Sequence, residues 1–137
     1  MIKMYCIFSE ESIAKMQGNR GKMCAQAGHA FLHAWWDAAD RFDWETFDWL
    51  KDTNIPTQLR AMQEYFCGND ARKITLVAKT DDDLRRLVEA YRGKAGVTLV
   101  EDCGYTVVEP GTITCAGIGP LRDEDKGEDL KSLRLFL

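Results

Sequence analysis

Lys73-Ile74-Thr75-Leu76-Val77-Ala78-Lys79-Thr80-Asp81-Asp82-Asp83-Leu84, running on to Val97-Thr98-Leu99-Val100, decides the fold class. Ile74–Ala78 is an unbroken apolar run bounded by polar residues, the pattern of a strand buried on both faces. Three aspartates then open a helix that reads to Tyr91, because carboxylates favour the positive end of the helix dipole. Val97–Val100 is a second strand. A strand, a helix and a strand in succession form a crossover unit, so the class is α/β.

Working outward, Ile2 and Tyr5–Phe8 read as an opening strand, followed by a polar loop through Asn19. Met23, Ala27, Ala30, Phe31, Ala34, Trp35 and Ala38 recur at helical spacing, which predicts an amphipathic helix from residue 21 to about Arg41. Phe42–Asn69 is rich in aromatics and is interrupted at Pro56, giving two short helices. Thr112–Ile118 is expected as the last strand, and the charged, leucine-bearing tail Asp123–Leu135 as a short terminal helix. The expectation is one domain over 1–137, a mixed four-stranded sheet with helices packed on its faces.

With 137 residues, 45% of them hydrophobic and 29% charged, the chain suits one compact domain. No apolar run approaches the roughly 20 residues of a membrane helix, and the start lacks the layout of a signal peptide. Five cysteines, scattered and without a CxxC pair, argue against a disulfide framework or a structural zinc. A cytoplasmic location is therefore expected. The formal net charge is −4, whereas proteins that grip nucleic-acid phosphates are usually basic. The distribution is uneven: residues 1–36 hold Lys3, Lys15, Arg20 and Lys22 against Glu10 and Glu11, a net of +2 that leaves −6 for the remainder.

Two polar constellations fall where regular elements begin or end, the usual place for ligand sites in α/β folds. The first is Gly21–Ala30, GKMCAQAGHA. On its helix Lys22, Gln26, His29 and His33 share one narrow sector, since steps of three and four residues return to one face. Lys22 in the first turn, with Arg20 just upstream, invites an anion to a helix tip whose backbone N–H groups are expected to be free. It is not a Walker A loop, which requires glycine at Met16 and serine or threonine at Met23. His29 and His33 have metal-ligand spacing but no HExxH glutamate and no third ligand, so no metal is expected. The second constellation is Asp102-Cys103-Gly104-Tyr105-Thr106, running to Gly111-Thr112-Ile113-Thr114, where Asp102 either caps a turn or orients a water or a lysine. Gln26 either faces solvent or hydrogen-bonds a substrate carbonyl.

The GKxxAQxxHA run at 21–30, the DxGxTxxxPGTxT run at 102–114 and Gly117-Ile118-Gly119-Pro120 together resemble the type 2 peptidyl-tRNA hydrolases of archaea and eukaryotes. The aromatic stretch 42–69 is longer than the matching connection in that family, and Glu101 stands where a basic residue is common. The resemblance implies hydrolysis of the ester between a peptide and the 3′ ribose of a tRNA, with no metal or organic cofactor. It implies Lys22, Asp102, Thr106 and Thr114 as catalytic residues. Arg20, Gln26, His29 and Thr112 would bind substrate, the acceptor end of a peptidyl-tRNA being the partner. A homodimer is left open. Two rival functions also stay open: a non-catalytic protein- or RNA-binding module on the same fold, and a small-substrate esterase or amidase working through Cys103.

Overall fold

The computed structural model describes residues 1–41, 57–68, 71–102 and 108–137. In chain order the elements are β1 (Ile2–Ser9), α1 (Glu10–Lys15), α2 (Arg20–Asp40), α3 (Thr57–Cys67), β2 (Lys73–Ala78), α4 (Asp81–Tyr91), β3 (Val97–Glu101), β4 (Ile113–Arg122), α5 (Glu128–Lys131) and β5 (Arg134–Leu135). A single 3-10 turn, Asp123–Asp125, links β4 to α5.

The strands form one mixed sheet in the order β3-β4-β1-β2-β5. β1 and β2 are parallel, β4 runs antiparallel to β1 and to β3, and β5 runs antiparallel to β2. The carboxyl ends of β1, β2 and β3 and the start of β4 therefore share one edge of the sheet, where ligands gather in α/β folds. The β2–α4–β3 unit is the expected crossover, its strands separated by β1 and β4.

Successive side chains of a strand point to opposite faces. Tyr5 and Ile7 of β1 accordingly pack with Leu84, Leu87, Val88 and Tyr91 of α4. Cys6 and Phe8 pack on the other face with Met23 and Ala30 of α2, and Met4 packs there with Ala34 and with Tyr65 of α3. Helix α2 lies unusually close to the sheet. A Cβ added at Gly117 would meet the Ala30 carbonyl oxygen at 2.2 Å, and one at Gly96 would meet that of Ala34 at 2.0 Å. Those glycines, facing the small residues Ala30, Ala34 and Ala38, set the depth of the helix.

Three expectations need correction. The sheet has five strands, not four, because the tail holds α5 and then the two-residue β5, with Leu76 opposite Leu135. Thr112–Ile118 is thus not the last strand, and β4 itself extends to Arg122. The stretch after β1 is not a loop through Asn19: Ser9 and Ser12 form a reciprocal capping box that starts α1, with Glu10 and Glu11 in its first turn. Of the two short helices expected in 42–69, the second is α3; the first falls on 42–56, outside the described residues.

Candidate active site

Helix α2 starts at the carboxyl edge of the sheet. Asn19 is its N-cap, its side chain accepting from the Lys22 amide at 2.9 Å, while the Met23 amide donates to the Asn19 carbonyl at 3.0 Å. The amides of Lys22 and Met23 are thus satisfied within the chain. The Lys22 side chain turns inward.

Asp102 follows β3 directly and is clamped by backbone bonds: its amide donates to the Thr112 carbonyl at 2.9 Å, and its carbonyl accepts from the Gly111 amide at 2.7 Å. The Lys22 ammonium donates to Oδ2 of Asp102, and the two side chains are only 8% and 6% exposed. Gln26, one turn along α2 and buried, donates from Nε2 to the same Oδ2 at 3.1 Å. Its Oε1 accepts from the Thr114 hydroxyl at 2.9 Å. A continuous chain runs from the Thr114 hydroxyl through the Gln26 amide to the Asp102 carboxylate and the Lys22 ammonium.

Thr114 reaches Gln26 because of a β-bulge. Val100 pairs with Cys115 and Glu101 with Ile113, so Thr114 is the extra residue on β4. A bulge re-aims side chains and is common beside active sites. Here Thr114 and its neighbour Cys115 both face α2: Cys115 Sγ donates to the Gln26 carbonyl at 3.4 Å. The Cys115 contact was missed in the sequence, where only an alignment of β3 with β4 would have exposed it. Cys115 also lies against Cys6, whose buried thiol is held well above its ordinary range, first by a hydrogen bond with Cys115 and then by burial.

The other anticipated residues lie elsewhere. Arg20 is exposed and lines a mostly apolar groove with Phe8, Met23, Cys24 and Phe136, a groove that Lys22 does not line. Two residues apart on a helix is 200° around it, so these cations do not share a face. His29 is exposed, its ring 5.6 Å from that of His33, and it takes no part in the buried cluster. Thr112 contributes its carbonyl to the Asp102 clamp. Thr106 and Cys103 fall in 103–107, outside the described residues.

A buried lysine–aspartate pair tied to a glutamine at the carboxyl edge of an α/β sheet is a site equipped to hold a cation beside a reacting carbonyl. The family model described as peptidyl-tRNA hydrolase PTH2 matches residues 2–136, and the chain belongs to that family. Among its relatives are a peptidyl-tRNA hydrolase of Haloquadratum walsbyi, 32% identical over 90% of this chain and 93% of its own. Another, from Methanopyrus kandleri, is 35% identical over 78% of each chain. A third, from Metallosphaera sedula, is 32% identical over 77% of this chain and 78% of its own.

Proposed function

We propose that this chain hydrolyses the ester joining a peptide to the 3′ ribose of a tRNA, with the Lys22–Asp102–Gln26–Thr114 chain as its working centre. The carrying observation is the buried contact between Lys22 and Asp102, which unites two sequence motifs 80 residues apart. An ester attacked by water develops negative charge on its carbonyl oxygen. A fixed ammonium in a low-dielectric site stabilises that charge more than bulk water does. Asp102 Oδ2 accepts from two donors, and its part in this reading is to hold Lys22 in place. Thr114 is fully buried and acts as a positioning residue, orienting the Gln26 amide so that its NH2 faces Asp102. Thr106 belongs to the proposed centre from its motif alone. The acceptor end of the tRNA is the proposed partner of this edge, with Arg20, His29 and Thr112 around it.

The same reading takes 1–137 as one domain acting in the cytoplasm. No helix among the described residues is long and apolar enough to cross a membrane. A homodimer is part of the proposal, favoured by exposed Phe66 lying beside Trp35, and light scattering reads it directly.

The test is incubation with N-blocked peptidyl-tRNA beside free aminoacyl-tRNA. Release of peptide from the first alone is expected; no release from either leaves a binding module. Activity that survives a thiol-blocking reagent is also expected, since a Cys103 mechanism would be abolished by it.

A further inference from the structure

From Lys22 and Gln26 the surface of α2 continues outward through His29, Leu32, His33 and Trp36, which lie within one sector of the helix at steps of three and four residues. Leu32 is 61% exposed and Trp36 68%, and the two histidine rings lie 5.6 Å apart with planes inclined at 31°. A tryptophan and a leucine left in water on a helix otherwise pressed so tightly to its sheet mark a contact surface. The stripe extends about 21 Å from Lys22 to Trp36 at the helical rise per residue. It begins at the proposed reaction centre.

Its lack of carboxylates bears on what it can meet. No carboxylate occurs from Arg20 to Trp36, although the chain carries 22, and both histidines of the protein stand on the stripe. The first acid beyond it, Asp37, is turned to the Val97 amide at 2.8 Å and to Arg41 at 3.0 Å. A phosphate-linked strand would bring one negative charge per nucleotide and a flat face per base. Base stacking on aromatic and imidazole rings is largely independent of sequence, and it supplies affinity that a chain of net charge −4 does not gain from bulk electrostatics.

We infer that the exposed α2 stripe His29–Leu32–His33–Trp36 is a stacking track for the unpaired nucleotides adjoining the ester, with Trp36 its distal platform. The inference rests on the hydrolase reading. Its test compares an N-acetyl-aminoacyl ester carried on a tetranucleotide matching the tRNA 3′ end with the same ester on adenosine. The wild type is expected to favour the tetranucleotide in kcat/KM. Trp36→Ala should lower that preference roughly tenfold, the scale of one lost base stack. Trp36→Phe should restore most of it, and Leu32→Glu, which sets a carboxylate on the track, should lower it again.

A preference unchanged in both Trp36→Ala and Leu32→Glu overturns the inference. So does conversion of a dimer to a monomer by Trp36→Ala in sedimentation, which assigns the stripe to a second copy. Failure of the wild type to cleave either ester, or a blocked peptidyl-tRNA, strikes instead at the hydrolase reading.

Discussion

Two lysine–aspartate pairs stand at the same edge of the sheet, and their surroundings separate a structural strap from the proposed reaction centre. Lys15 meets Asp81 Oδ2 at 2.5 Å, with side chains 48% and 11% exposed. Asp81 Oδ1 accepts from the Ser9 hydroxyl at 2.6 Å, and the Asp81 amide donates to Glu11 Oε2 at 3.0 Å. Those partners fasten the end of β1 and the short α1 to the start of α4. Lys22 and Asp102 are closed from solvent on both sides of the pair, and their next contact is a glutamine amide held by a bulged strand. The first pair leaves its ammonium to water, whereas the second keeps it desolvated and aimed, as an electrostatic catalyst requires. The same two residue types thus meet different surroundings, set by burial and by what holds the carboxylate.

The sharpest way to break the comparison is to remove one partner of each pair. Lys22→Ala or Asp102→Ala should lower kcat/KM by about 10²–10³, the scale of losing one charge-stabilising group. Each should also cost about 3–5 kcal/mol in urea unfolding, because the remaining buried charge loses its mate. Thr114→Val comes next. It leaves Gln26 Oε1 without its donor, for a stability loss of about 1–3 kcal/mol, and frees the amide to turn, for a fall of ten- to a hundredfold in turnover by rough estimate. Lys15→Met should leave turnover unchanged and cost about 1–3 kcal/mol, since the Asp81 carboxylate it strands is only 11% exposed but is still held by the Ser9 hydroxyl. A Lys15 effect on turnover as large as that of Lys22 would erase the distinction.

The smallest effect lies on the opposite face, at Tyr5. Burial, helped by the Asp123 charge, pushes its ionisation up to about 12, and burial does the same for Tyr91, reinforced by its hydrogen bond to Asp129. Raising the pKa of an acid favours its neutral form in the folded state. The resulting stability is complete below pH 10 and disappears as pH rises from 10 towards 12. An alkaline absorbance titration should show these tyrosines ionising late, and Tyr5→Phe should remove part of that phase. The Tyr5 hydroxyl is buried with no hydrogen-bond partner among the described residues, so Tyr5→Phe should also raise stability, by about 1 kcal/mol.

What the sequence disclosed follows from local signals. The α4 boundaries were readable because three aspartates open it, and the course of α2 because its alanine stripe is regular, whereas the Thr80 and Asn19 caps emerged with the structure. The meeting of Lys22 with Asp102 was anticipated through the family motifs. Three features were hidden because each depends on partners distant in sequence. β5 is two residues long and exists by virtue of β2 alongside it. The bulge at Thr114 is a matter of register between β3 and β4, which no single strand records. The separation of Gln26 from His29, buried and exposed on one helical sector, comes from the depth that Gly117 and Gly96 give to α2. Arg20 differs, since its place away from Lys22 was legible in the helical step itself.

The decisive measurement is kcat/KM toward an N-blocked peptidyl-tRNA for the paired replacement Lys22→Met with Asp102→Leu, alongside its urea unfolding curve. Removing both charges together leaves neither ion stranded, so stability should return to within about 1–2 kcal/mol of the parent, while hydrolysis stays at least a hundredfold down. Restored folding with near-parental hydrolysis would contradict the account, because the pair would then be a strap like Lys15 and Asp81.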